Sequence, residues 1–386
     1  MKNRYTYLIT LGHLANDTAQ GALPALLPLF IVTYNLNYQQ AAGLMFANTI
    51  LSSIMQPIFG YFSDKISKPW FISLGTALSG SSIAAMGFAD SYWTLFGLSM
   101  LAGVGSAIFH PEAARLVNRI SGKHKGKAMG TFSVGGNGGF ALGPILAGLC
   151  AYTLGPHGLL IFAIFSITTA AILFHNMPKI LSLVALSAME EAKAHVNEHL
   201  TNDWRSFSKL SVIIFARSIV FSVMNTFIPI YWITVLLQSP ASGSMALTIL
   251  FSFGVVITFI GGIMADRLGL LKVIRFSLCC MVPVTILFPM STNVWLSTAL
   301  LLPLGFSIFA LYSPIVVLGQ TYLAKSVGFA SGVTLGLGIT LGGIIAPAIG
   351  WVADHYGLQT GLQLLTIIAV AALVFSFIIP EPKRKC

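Results

Sequence analysis

Gly60-Tyr-Phe-Ser-Asp64-Lys65 returns 202 residues later as Gly262-Ile-Met-Ala-Asp266-Arg267. Both copies read glycine, three residues, aspartate, base, and both close a long apolar run. Gly126 and Gly130 recur as Gly328 and Gly332 at the same offset, and Pro111 and Pro144 recur as Pro314 and Pro347 at 203. Correspondences that hold register across six apolar runs mark a duplicated unit. Paired sets of membrane spans are a common plan of secondary transporters, with the solute site near the midplane between the repeats.

The composition requires a membrane. The 386 residues are 56% hydrophobic and 8% charged, against roughly 25% charged in soluble domains. So apolar a chain cannot cover itself with polar surface, and lipid must solvate it. Apolar runs fall at about 5–33, 40–62, 70–89, 92–118, 127–153, 157–177, 210–236, 243–264, 272–290, 294–321, 327–353 and 359–380. In lipid each segment must satisfy its own backbone, so these are helices. The expected fold is an all-α membrane protein of twelve transmembrane helices in two pseudo-symmetric six-helix bundles. The expected parts are an N-terminal bundle at 1–177, a cytoplasmic linker at 178–209 and a C-terminal bundle at 210–386. The N-terminal stretch reads as an uncleaved first helix, because His13, Asn16, Asp17 and Gln20 interrupt any signal-peptide core.

Charge gives the orientation. With the N-terminus inside, 20 of the 21 Lys and Arg residues fall in cytoplasmic segments, and Arg217 lies within a span. Basic loops are retained in the cytoplasm, so both termini are placed there, in the inner (plasma) membrane. The net charge of +10 is scattered over short loops rather than gathered on one face, which argues against nucleic acid. Cys150, Cys279, Cys280 and Cys386 lack metal or redox spacing. His195 and His199 stand at i, i+4 in the charged linker and read as a solvated helix face, in what looks like an interfacial helix. Neither metal nor cofactor is expected.

Ionisable groups inside a bilayer are costly and usually functional. Asp17 lies ~18 Å along the first helix from Tyr5, near mid-membrane. His13 shares its face one turn earlier, with Asn16 and Gln20 near. This group reads as a proton site with neighbouring substrate contacts, or as a satisfied structural polar cluster. Arg217 enters the seventh span and needs an acid or an anionic substrate, unless it snorkels to the cytoplasmic edge. Late in the fourth span come His110, Glu112 and Arg115. His110 can titrate near neutral pH. Glu112 and Arg115 can serve as a gate with Asp64, in proton handling, or as a structural pair. Asp64, Asp266 and Arg267, at cytoplasmic helix ends, suit conformational gating. The fifth span holds Gly135-Gly-Asn-Gly-Gly139 and Gly143-Pro144, spacing that lets helices approach closely. With no preceding strand it is not a nucleotide loop.

Gly60 to Lys68 resembles the loop motif between helices two and three of the major facilitator superfamily, with Ser67 where a glycine is usual. Gly262 to Lys272 is closer, with Asp266-Arg267-Leu268-Gly269. His13-Leu-Ala-Asn16-Asp17, Phe109-His110-Pro111-Glu112-Ala-Ala-Arg115, Arg217-Ser218 and Phe227-Ile228-Pro229 resemble the fosmidomycin-resistance subfamily. The fifth helix is similar to the glycine–proline motif of superfamily antiporters, without its final double glycine. The resemblance implies a proton-coupled efflux antiporter of a small drug-like or anionic compound, working by alternating access as a monomer. A proton-coupled uptake symporter for a sugar or organic acid is the alternative. Its partners would be protons, the solute and lipid, with the proton gradient as driver. An intramembrane enzyme is disfavoured: there is no His-Glu-x-x-His and no nucleophile with a base.

Overall fold

A computed structural model of the chain describes residues 2–65, 69–120, 125–191, 201–326, 329–330, 333–334 and 338–380. The helices are α1 (Lys2–Tyr34), α2 (Tyr38–Lys65), α3 (Phe71–Ala85), α4 (Tyr92–Ile120), α5 (Lys125–Leu154) and α6 (Leu160–Glu191). They continue as α7 (Trp204–Thr234), α8 (Pro240–Leu268), α9 (Leu270–Met290), α10 (Val294–Phe309), α11 (Tyr312–Tyr322), α12 (Gly338–Tyr356) and α13 (Leu358–Ile378). α10 and α11 are two segments of one span, Val294–Tyr322. The chain therefore forms the twelve rods of the two-bundle fold, and no strand occurs among the described residues. Nine candidate spans among the described residues are long and apolar enough to cross a bilayer. α1 is not one of them. Its buried His13, Asn16, Asp17 and Thr18 lower its hydropathy.

Capping chemistry sets the helix ends. At α2, Asn37 and Gln40 exchange bonds: Asn37 N–H donates to Gln40 Oε1 at 3.0 Å, and Gln40 N–H to Asn37 Oδ1 at 2.7 Å. Asp203 caps α7 by accepting from Ser206 N–H at 3.0 Å and Ser206 Oγ–H at 2.6 Å. Those bonds hold its carboxyl below the usual carboxylate range. Gly269, the glycine of the second loop motif, ends α8 at φ +99°. Its N–H donates to Ala265 O at 2.9 Å. Only glycine takes that backbone without strain, which explains the motif's last position.

The chain resolves into two compact units: Met1–Leu26 with Ala47–Glu198, and Leu27–Phe46 with His199–Cys386. In the first, α3 packs on α4 and α6. In the second, α7 packs on α12 and α13, and α10 on α8 and α9. Within the expected linker, residues 178–191 continue α6. Ile180 and Val184 are buried with Ile9, Leu116 and Val117, so packing carries the helix past its apolar span. His195 and His199 lie outside the described residues.

Candidate functional site

Three side chains from two helices meet in the first unit. α1 presents His13 and Asp17 one turn apart, and α4 brings His110. His13 Nε2 lies 3.1 Å from Asp17 Oδ2. His110 Nε2 lies 3.2 Å from Asp17 Oδ1. Asn16 Nδ2 donates to Asp17 Oδ1 at 3.0 Å. The second nitrogen of each ring is also held. His13 Nδ1 lies 2.7 Å from Phe132 O, and His110 Nδ1 lies 2.9 Å from Ser106 O. The His13 ring stacks on Phe132 with centroids 4.0 Å apart. Side-chain exposure is 9% at His13, 5% at Asp17 and 27% at His110, so His110 is the least buried of the three.

The glycines of α5 make room for this. A Cβ on Gly139 would stand 2.6 Å from Leu14 O and 2.8 Å from Asp17 Cβ. One on Gly143 would stand 2.4 Å from Thr18 O. One on Gly136 would stand 2.5 Å from His13 Nε2 and 2.8 Å from Asp17 Oδ2. The stripe lets α5 lie directly along the polar face of α1, and its Phe132 carbonyl reaches His13. The donor atoms of His13, Asp17 and His110 all lie within 4.8 Å of one another, close enough to share a cation.

Other expected residues fall elsewhere. Gln20 Nε2 donates to Ser79 Oγ and Ala102 O, both at 3.1 Å, and so ties α1 to α3 and α4. Glu112 is fully buried and pairs with Arg115, whose Nε donates to Glu112 Oε2 at 3.1 Å. Asp266 and Arg267 are exposed at the end of α8. Asp64 lies in the last turn of α2, and its side chain is outside the described residues.

In the second unit Arg217 is 8% exposed in the body of α7. Its Nε donates to Ile308 O at 2.8 Å, in the last turn of α10, where carbonyls lack helical partners. The guanidinium lies 5.2 Å from the Tyr312 ring centroid and 5.9 Å from that of Phe221. Among the described residues no carboxylate forms an ion pair with it. Arg217, Ile214, Tyr312, Ile315, Val316 and Thr334 line a closed crevice too narrow to admit a water molecule, with the cation against an aromatic and aliphatic wall.

Asp354, at the end of α12, was not singled out by sequence reasoning. It accepts from Tyr38 N–H at 2.8 Å and Gln39 N–H at 3.0 Å, at the start of α2. Acid near a helix C-terminus is unfavourable by itself, and that misplacement was the available signal.

The chain is 30% identical over 390 residues to an uncharacterized MFS-type transporter, YfnC, of Bacillus subtilis (strain 168), covering 98% of this chain and 94% of that protein. It is 27% identical over 380 residues to the fosmidomycin resistance protein of Escherichia coli (strain K12), covering 98% and 93%. Its fold matches a bacterial homolog of the human lysosomal transporter Spinster with a TM-score of 0.78 at 15% identity, covering 98% and 96%. The profile of the Major Facilitator Superfamily matches residues 9–347. Duplicated helical halves, intramembrane charge and this match agree, and the chain belongs to the Major Facilitator Superfamily.

Proposed function

We propose that the protein is a proton-coupled exporter of a small anionic or drug-like compound, exchanging it for protons by alternating access. The buried carboxylate of Asp17 between His13 and His110 carries this reading. A charge at that depth is costly, and protonation relieves the cost before the site passes through a closed, dry stage. Asp17 is the principal carrier, His13 and His110 hold it, and Glu112 is the reserve candidate. Arg217 is the anion contact. It keeps its proton and has no ion pair among the described residues, and the crevice beside it would have to widen for an anion to reach it. Asn16 and Gln20 complete the polar face of α1. Asp64, Arg115, Asp266 and Arg267 act in gating, and Gly143 with Pro144 keeps α5 against α1. The protein would sit in the inner membrane as a monomer with both termini in the cytoplasm. No cofactor beyond the proton gradient is required.

The relative's name supplies a probe, fosmidomycin. Everted vesicles, acidified inside by respiration, are given radiolabelled fosmidomycin while a pH dye reports the lumen. An antiporter accumulates the compound and discharges the pH gradient. A proton-coupled uptake symporter instead drives preloaded compound out with the protons, and that result would reverse the direction proposed. Orientation is read separately: a cysteine placed at position 239 reacts only with reagent added outside intact cells.

A further inference from the structure

The end of α12 holds the start of α2, and by the charge partition both face outside. Asp354 accepts from Tyr38 N–H through Oδ1 at 2.8 Å and from Gln39 N–H through Oδ2 at 3.0 Å. A helix start leaves its first N–H groups without partners inside the helix. Asn37 and Gln40 satisfy each other here, and the two amides between them are the ones Asp354 takes. Gly350, one turn before Asp354, lets the backbones touch: a Cβ there would stand 2.8 Å from Tyr38 O and 2.9 Å from Gln39 Cα. Asp354 and Gln39 are exposed and Tyr38 is half-buried, so water can take over both sides when the contact parts. α2 also keeps its own Asn37–Gln40 box without Asp354. The contact can therefore open without leaving a buried group unpaired. Through Phe46, α2 belongs to the second compact unit, and from Ala47 to the first. The carboxylate thus grips the end of a helix whose remainder belongs to the other unit. The second copy of the repeat has no such grip. α8 is capped from within by Ser239, which accepts from Ser242 N–H at 3.3 Å, and Pro240 brings no N–H to its first position. The residue 203 positions before Asp354 is Ala151, which has no side-chain acceptor.

We propose that Asp354 is a one-sided latch: its carboxylate clasps the start of α2 to the end of α12, holds the outer mouth shut, and biases the resting protein toward the state that faces the cytoplasm. The inference rests on the alternating-access reading and the orientation above, and it names a residue that sets the balance between the two states. Repeats that rock about a central site open one mouth as they close the other. When the outer mouth opens, the start of α2 leaves the end of α12 and Asp354 exchanges both amides for water. Two hydrogen bonds to one charged group are enough to shift a two-state balance by about 10-fold or more. The repeat supplies no matching carboxylate at the start of α8, so the bias runs one way. For an exporter that direction is useful. The solute arrives from the cytoplasm, and a protein already facing it loses no affinity to a scarcely populated binding state. Asp354 is a positioning residue: it acts on α2 and not on the solute.

The test is hydrogen–deuterium exchange, read by mass spectrometry, on full-length protein in lipid nanodiscs with no solute added. Asp354→Ala is expected to speed exchange at residues 38–41 by about 10-fold. It is also expected to slow exchange at the cytoplasmic ends, in α4 near Arg119 and in α5 near Lys125. A looser outer end with a tighter inner end is a change of state, and a cap that merely stabilises its helix does not produce the second half of it. Asp354→Asn keeps an acceptor but loses the charge, and it should fall between Asp354→Ala and the wild type. Ser239→Ala is the control: it removes the local cap of α8 and should speed exchange there alone. The proposal is overturned if Asp354→Ala leaves the inner ends unchanged or loosens them too. It is also overturned if Ser239→Ala gives the same opposed shift. These readings do not use transport. If wild-type vesicles show no gradient-driven flux while the opposed shift appears, the coupling reading fails and the latch stands. If flux is gradient-driven and Asp354→Ala gives no opposed shift, only the latch fails.

Discussion

α1 and α7 are the first helices of their halves, built alike and charged differently. Gly139 of α5 approaches Leu14 and Asp17 of α1. Gly342 of α12, 203 residues on, approaches α7, where its Cβ would stand 2.4 Å from Ser218 O and 2.6 Å from Ser222 Cβ. The same shift carries Arg217 back to Leu14, one residue beyond His13. At the same level of the same packing, one half keeps an acid between two histidines. The other keeps a guanidinium with no ion pair among the described residues. The first can change its charge by taking protons, and the second cannot. Duplication preserved the backbone contacts, and the chemistry diverged on top of them.

Breaking the first member should give the largest effect. Asp17→Asn is expected to abolish gradient-driven accumulation in proteoliposomes while leaving passive exchange. Accumulation at the wild-type rate would remove Asp17 as carrier and turn attention to Glu112. The shared packing is tested next. Gly139→Val and Gly342→Val each push side-chain atoms into backbone that cannot step aside. Each should cost about 1–3 kcal/mol, read as a lower melting temperature in detergent. If one half tolerates the change, the halves do not share this contact. Arg217→Ala should weaken binding of an anionic probe such as fosmidomycin by about 10- to 100-fold, and of uncharged compounds by much less. Equal losses for both would make Arg217 a packing residue. The smallest effect is expected at the loop motifs. Asp64→Asn and Asp266→Asn should each slow turnover and leave affinity within about threefold. A large loss of binding at either would move that aspartate from gating to the solute.

Much of this was legible in the chain. The spans show because lipid forbids polar stretches, and the duplication shows because the loop motif repeats in register. Asp17, His13 and Arg217 stand out because charge inside a span is rare. The union of His110 with Asp17 was not legible. The two lie 93 residues apart on different helices, and no periodicity connects them. The glycines of α5 announced a close approach without naming its partner. Gln20 shares a sequence neighbourhood with Asp17, yet bonds to α3 and α4. Asp354 escaped because its partners are backbone amides, which leave no residue signature, so that its place at a helix C-terminus was the one mark it carried. The length of α6 escaped because its last turns are held by packing on Ile9 and Leu116 rather than by lipid.

Gly136 carries a consequence for the gene. Every single-nucleotide change that turns a glycine codon into another amino acid adds at least a Cβ. At this position that atom would stand 2.5 Å from His13 Nε2 and 2.8 Å from Asp17 Oδ2, on the contact itself. No one-step missense path through codon 136 leaves that bond undisturbed. A random mutant library selected for loss of transport should therefore return substitutions there with little regard to their chemistry, alanine included. At codon 17, by contrast, the selection should sort replacements by whether they keep a carboxylate.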